Sequence, residues 1–224
     1  MQLNEGLAEV VGAFIGDGCI SEYFAHGRGT RTVVLFTGHW KNDRQYYMDK
    51  IAAVITEEFG CLIKLYHRKD DNTIRYVLTS KKVVGFFKEL GLPVGEKGNK
   101  LGIPGAIMKD DKLVLACVRG IFNTDGSIYR RYSKRYSGHA RVYRNYAVIQ
   151  FKMVNHKVIR RIKCVLEKYC IKVNNITKVL NCSVIRITDQ TSIKKFISLI
   201  GFTHPYHEKR YLDIVGMIPT RNLD

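Results

Sequence analysis

The first strong pattern in the chain is the run Leu7 to Ile15, apolar on almost every helical face, which predicts a helix over about 4–16 buried on all sides. An extended region follows from Cys19 to Thr37, broken by the Gly-rich turn His26-Gly27-Arg28-Gly29. Tyr46, Tyr47, Ile51, Val54, Ile55 and Phe59 approximate helical spacing and predict an amphipathic helix over 42–59, with Asn42 as its N-cap. Two strands are expected at Leu62–His67 and Ile74–Thr79, joined by the turn Lys69-Asp70-Asp71-Asn72. A helix from Lys81 to Leu90 then closes the half, with Gly91 past its end.

The remainder replays this order. A helix over about 112–124 leads into a long basic extended region reaching Met153, then a helix from Asn155 to Tyr169. Strands at Asn175–Leu180 and Val184–Thr188 and a helix from Ser192 to Ile200, stopped by Gly201, complete it. Ile74-Arg75-Tyr76 echoes Ile185-Arg186-Ile187, and Phe86 to Leu92 echoes Phe196 to Phe202. A repeat this long is too large for a solenoid unit. The expected class is α+β, an internal duplication of α-β-β-α-β-β-α related by a pseudo-twofold. The halves are 1–92 and 113–224, and the Gly- and Pro-bearing stretch 93–112 is the linker. Each half opens with a helix needing burial on every side, so each is the other's simplest partner and the halves form one globular unit.

Composition narrows the partner. The 224 residues carry 37 Lys and Arg against 20 Asp and Glu, a net charge of +17 that favours a polyanion. Hydrophobic residues make up 46%, as in a folded domain. No apolar run is long enough to span a bilayer and the N-terminus has no secretory pattern. The chain is therefore read as intracellular: cytoplasmic in a prokaryote, in the matrix if organelle-encoded. Cysteines 19, 61, 117, 164, 170 and 182 show no zinc spacing and are read as reduced core thiols.

The candidate chemistry lies where the two buried helices end. Val10-Val11-Gly12-Ala13-Phe14-Ile15-Gly16-Asp17-Gly18 and Val118-Arg119-Gly120-Ile121-Phe122-Asn123-Thr124-Asp125-Gly126 place Asp17 and Asp125 at matching positions, 108 residues apart (125 less 17). Gly12 and Gly16, like Gly120 and Thr124, sit one turn apart on one face, which permits a tight helix crossing. Such a crossing would bring the two carboxylates together, where they repel unless a cation intervenes. Mg²⁺, with its taste for carboxylate, carbonyl, water and phosphate oxygens, suits them.

These segments resemble the paired motif of the LAGLIDADG homing endonucleases, with Ile15 and Asn123 standing where the motif name shows its first Asp. The resemblance covers about Leu7 to Val215. It implies motif helices packed at the centre, two saddle-shaped antiparallel sheets along the DNA major groove, and Asp17 and Asp125 as ligands of Mg²⁺, helped by the carbonyls of Gly16 and Thr124. Mn²⁺ or Ca²⁺ would occupy the same sites. Thr124, in place of a smaller residue, is expected to loosen the crossing slightly. The resemblance also implies an assisting lysine after the last helix of each half: Lys97 or Lys100, and Lys209.

DNA contacts are expected from the basic ribbon Tyr129–Tyr146, which holds Arg130, Arg131, Lys134, Arg135, Arg141 and Arg144 around a turn at Ser137-Gly138-His139. Further contacts are expected from Arg28, Arg31, Lys64, Tyr66, Arg68, Arg75, Gln150, Lys152, Lys178 and Arg186. His204 and His207, beside Pro205, read as surface or DNA-contacting residues rather than a zinc site. The expected function is metal-dependent, staggered double-strand cleavage of a long, nearly asymmetric DNA site by a monomer, in intron homing. The alternatives are an RNA-splicing maturase that binds intron RNA and a non-cleaving DNA-binding regulator. The Met1 start and short tail after Val215 are read as arguing against a chain embedded in an intein.

Overall fold

A computed structural model describes residues 2–27, 29–131 and 146–216, with backbone alone for 134–136 and 139–141. Helix α1 (Glu5–Asp17) starts where the Asn4 side chain accepts from Leu7 N at 2.8 Å, and it buries every residue from Leu7 to Ile15. Its mate α5 (Asp111–Asp125) is capped by Asp110 and buries the matching apolar positions. The two helices cross at the centre of one continuous apolar core drawn from both halves.

The crossing is close because both backbones are bare where they meet. A Cβ on Gly12 would fall 2.9 Å from Ile121 N and deeper into the Cys117 carbonyl; one on Gly120 would fall 2.8 Å from Ala13 N and deeper into the Glu9 carbonyl. Gly16 likewise has no room for a Cβ beside Thr124, whose Oγ1 turns back onto the Gly120 and Ile121 carbonyls at 3.1 and 3.2 Å. The threonine side chain is thus accommodated by a glycine opposite.

Strands β1 (Gly18–Ala25), β2 (Gly29–His39), β3 (Lys64–Arg68) and β4 (Thr73–Leu78) form an antiparallel sheet of order β1-β2-β4-β3. In the second half, β5 (Gly126–Arg130), β8 (Ala147–Met153), β9 (Thr177–Val179) and β10 (Cys182–Ile187) repeat it as β5-β8-β10-β9. An extra hairpin, β6 (Lys134–Tyr136) with β7 (His139–Arg141), stands between β5 and β8. One face of each sheet packs on helices and the other looks outward.

The helix expected over 42–59 is a composite. It begins as α2 (Arg44–Tyr46), passes through a π-helical turn at Tyr47–Ala52 and ends as α3 (Ala53–Phe59), where Gly60 takes φ 61°. Its N-cap position is Asp43, not Asn42. The Asp43 carboxylate does not cap the helix; it accepts from His39 N at 2.6 Å and meets His204 Nε2 at 3.2 Å. Helix α4 (Lys81–Glu89), α6 (His156–Lys168) and α7 (Gln190–Leu199) lie as expected, with Gly91 and Gly201 at positive φ past α4 and α7.

The sequence reading assigns no element to 205–215, whereas this stretch is helix α8 (Pro205–Val215). Its start is orthodox: His204 caps it, its Nδ1 accepting from Tyr206 N, and Pro205 occupies the first turn. The linker is no loose tether either. Val94 bridges to Ile20, Gly95 N donates to Ile20 O at 2.8 Å, and Leu101 and Ile107 are buried. Of the six cysteines, all free, Cys117 alone is fully buried, and Cys164 and Cys170 are exposed, so the core-thiol expectation holds for one position.

Candidate active site

Asp17 and Asp125 are the last residues of the crossed helices, so the crossing itself carries their carboxylates to one place. The Asp125 carboxyl carbon lies 3.5 Å from the position a Gly16 Cβ would take. Burial pushes the Asp17 pKa up to about 7, with the charges of Asp125 and then Asp43 adding to it against Lys97 and the Tyr47 hydroxyl. Tyr47 OH donates to Asp17 Oδ2 at 3.4 Å. Burial likewise raises Asp125 to about 6, with Lys97 opposing. Two acids that resist ionisation because they are enclosed and face each other make a site that wants a cation.

Lys97 supplies one positive charge. It enters from the linker, and its Nζ donates to the carbonyls of Phe14 at 3.0 Å, Ile15 at 2.9 Å and Gly16, capping the negative end of α1. Burial lowers its pKa, with Asp125 and Asp17 holding it up. The Gly16 carbonyl, expected on the metal, therefore already accepts from an ammonium, with a second lone pair left. Lys100, three residues on, stays exposed, and Lys209 pairs with Asp213 at 2.7 Å on the exposed side of α8. Of the three lysines considered, the structure brings Lys97 to the carboxylates.

A cleft of about 300 Å³ opens beside this point, lined by Gly16, Lys97, Asp125, Lys152, Asn155 and Cys182 among others. Asn155 fixes its wall: the side chain caps α6 through Val158 N at 3.1 Å while donating to the Gly98 and Leu101 carbonyls at 2.8 and 3.0 Å. The donor set fits Mg²⁺, which is commonly held by one or two carboxylates and completed by water and phosphate. Among the described residues no group of three or more His, Cys, Asp or Glu gathers as an all-protein metal cage.

The outward sheet faces carry much of the expected basic set. Lys64, Tyr66 and Arg68 pair with Val77, Arg75 and Thr73, so they share the outward face with Arg75, and Arg31 lies on the same face of β2. In the second sheet Gln150 and Lys152 pair with Arg186 and Val184 on the outward face, where Arg186 Nε donates to Gln150 Oε1 at 2.8 Å. Two residues fall on the other side. Arg130 pairs with the buried Ala147 and Lys178 with the buried Ser183, which sets both on the helix side of the sheet. Arg131 follows β5 and bonds through its backbone to Tyr146 O at 2.8 Å. Arg28 and Arg144 lie outside the described residues, as does the Ser137-Gly138 turn; Lys134, Arg135 and Arg141 are placed by their backbone alone, in β6 and β7.

Several residues at the site escaped the sequence reading. Glu9 is wholly buried beneath the crossing, where its carboxylate accepts from Arg119 Nε at 2.9 Å, Asn123 Nδ2 at 3.3 Å, Tyr46 OH at 3.4 Å and the Thr203 hydroxyl. His204 and His207 are 1% and 6% exposed, so neither is a surface or DNA-contacting residue. His204 stacks on Tyr46 with ring centroids 4.9 Å apart. A polar residue inside an otherwise apolar helical run, as Glu9 is, was the available signal.

No family model matches the sequence. Among curated proteins it is 27% identical over 215 residues to the replication factor C small subunit of Methanocaldococcus jannaschii; this takes in 95% of the chain and only 10% of that protein's length. Among solved structures, I-DmoI in complex with DNA and Mn aligns with a TM-score of 0.62 at 16% identity, covering 89% of this chain and 98% of that one. The LAGLIDADG meganuclease I-AabMI bound to uncleaved DNA gives 0.62 at 13%, covering 96% and 90%. The N-terminal LAGLIDADG domain of WhiA gives 0.56 at 12%, covering 90% and 84%. No helix among the described residues is long and apolar enough to cross a membrane. With two crossed motif helices under two matching sheets, the chain has the LAGLIDADG fold that its paired motif resembles.

Proposed function

We propose that the chain is a site-specific DNA endonuclease that hydrolyses both strands of one duplex, each half serving one strand. The observation that carries this reading is the convergence of Asp17 and Asp125, both hard to ionise without a cation, beside the Lys97 ammonium at the helix ends. The basic outward faces and the charge of +17 support DNA as the partner. Structural neighbours solved with DNA and Mn, Ca or Mg support a divalent ion.

Asp17 and Asp125 would hold Mg²⁺, with the Thr124 carbonyl and the free lone pair of Gly16 within the same helix ends. When bound, the ion supplies an activated water and neutralises charge on the phosphate. The chain's own residues do the rest. Tyr47 orients Asp17, Lys97 sets a positive charge beside the scissile region, and Asn155 holds the loop that carries Lys97. One chain supplies both halves of the site, so a monomer suffices.

The test uses a supercoiled plasmid bearing a duplex that the protein selects from a random-sequence pool. Mg²⁺ should give nicked and then linear DNA, and Asp17→Asn and Asp125→Asn should each lose that product by at least about a hundredfold. Full double-strand cleavage by either variant sinks the reading; retarded but intact DNA points to a binder instead.

A further inference from the structure

The two motif helices end under different side chains. Six residues past Gly91 stands Lys97, bonded to the last carbonyls of α1 with its Nζ 5.7 Å from the Phe14 ring centroid. Six residues past Gly201 stands His207. Its ring lies 5.0 Å from that of Phe122 and is close enough to the Asn123 backbone to feel its polarity. Phe122 and Asn123 hold the places in the second motif that Phe14 and Ile15 hold in the first. His207 is therefore the pseudo-twofold mate of Lys97.

The histidine does not replace the lysine's charge. It is buried against Phe202, His204 and Tyr206, and its Nδ1 has no hydrogen-bond partner among the described residues. Burial, with His204 beside it, pushes its pKa down to about 4, so the ring is neutral near pH 7. Other charges deepen the contrast. Lys97 acts on both carboxylates, on Asp125 more strongly than on Asp17, and Lys152 joins it beside Asp125 in the cleft, whereas Asp17 also faces Asp43 and the Tyr47 hydroxyl.

We infer that the two scissile phosphates are held unequally: the one seated against Lys97, Lys152 and Asp125 is gripped by cations and cut first, and its counterpart beside Asp17 follows more slowly because His207 stands where a lysine would. This rests on the nuclease reading. In each hydrolysis a water oxygen bonds to phosphorus, one phosphorus–oxygen ester bond breaks, the water's proton passes to solvent and the departing oxygen takes up a proton. Nothing is oxidised or reduced.

The test has a binding arm and a cutting arm, both on the selected duplex. In metal-free buffer, single neutral methylphosphonates are scanned across the central phosphates of both strands. One position should weaken binding by about tenfold and its mate on the other strand by less than about twofold. Lys97→Gln should erase that difference. With Mg²⁺ and the strands labelled separately, one nicked species should accumulate, its strand cut about ten times faster or more. His207→Lys should narrow the gap by speeding the slow strand, and Lys97→Gln should close it by slowing the fast one, so a misfolded His207→Lys leaves the second variant decisive. Equal losses in the scan and equal strand rates overturn the inference alone. If neither strand is cut, the nuclease reading and the strand order fail together, while the binding difference is judged by the metal-free scan.

Discussion

Glu9 and Cys117 occupy the same place in the two motif helices, 108 residues apart, and could hardly differ more. Their backbones behave alike: the Glu9 carbonyl is where a Gly120 Cβ would strike, and the Cys117 carbonyl is where a Gly12 Cβ would strike. Their side chains do not. Cys117 is a small buried thiol whose pKa burial pushes up. Glu9 is a buried carboxylate tied to Lys50 and Tyr46 of its own half and to Arg119, Asn123 and Thr203 of the other. The crossing thus imposes symmetry on backbone and size and leaves charge free to diverge. The same rule separates Lys97 from His207 and Asp43 from Asn155.

The symmetric part should break hardest. Gly12→Val and Gly120→Val each drive a side chain into backbone that cannot rotate away, at a cost on the order of 5 kcal/mol. Both variants should lose the cooperative thermal transition followed by circular dichroism. If one is tolerated and the other is not, the crossing is not symmetric.

The asymmetric part should show as a difference between equivalent positions. Glu9→Ala strands Arg119 beside an empty space and should cost about 3–5 kcal/mol in denaturant unfolding. Cys117→Ala removes one sulfur and should cost about 1–2 kcal/mol. Equal losses would mean that the Glu9 network does not hold the halves together.

The paired carboxylates give a pH signature. Their folded pKa values, about 7 and about 6, lie above the unfolded value near 3.8, so the native state binds more protons than the unfolded chain between those limits. Without divalent ions, stability contributed by the protonated pair should be full below about pH 4 and fall by several kcal/mol as pH rises toward 7. Asp17→Asn should flatten that slope more than Asp125→Asn. Mg²⁺ at pH 7.5 should restore much of the loss, read as a rise in melting temperature. A slope unchanged by either variant would place the protons elsewhere.

How much of this could be read from the residues depends on the range of the cause. The motif helices were legible because their all-round apolarity has one explanation, and Asp-Gly marks their shared end. The succession of elements in the second half followed from the repeat. What escaped was set by distant partners. Asn42 looks like a cap, yet Asp43 holds that position because its carboxylate answers His39 and His204, the latter 161 residues away. Lys97 could not be told from Lys100 by spacing, since the choice lies in which ammonium reaches three carbonyls of α1. Helix α8 was different: His204-Pro205 is a local start signal.

Strand parity gives the finest comparison and the smallest effect. Arg75 and Lys178 are both exposed cations on sheet strands, and the residues alone rank them equally. Their partners separate them: Arg75 pairs with Thr37 and Tyr66 on the outward face, and Lys178 with the buried Ser183 on the helix side. If DNA lies on the outward faces, Arg75→Ala should weaken binding several-fold and lower the slope of log affinity against log salt by about 1. Lys178→Ala should leave that slope within error, because a charge behind the sheet releases no counterion from the duplex. Equal slope changes for the two variants would move the DNA off the outward face, and with it the argument that alternation along β9 and β10 sorts the basic residues by side.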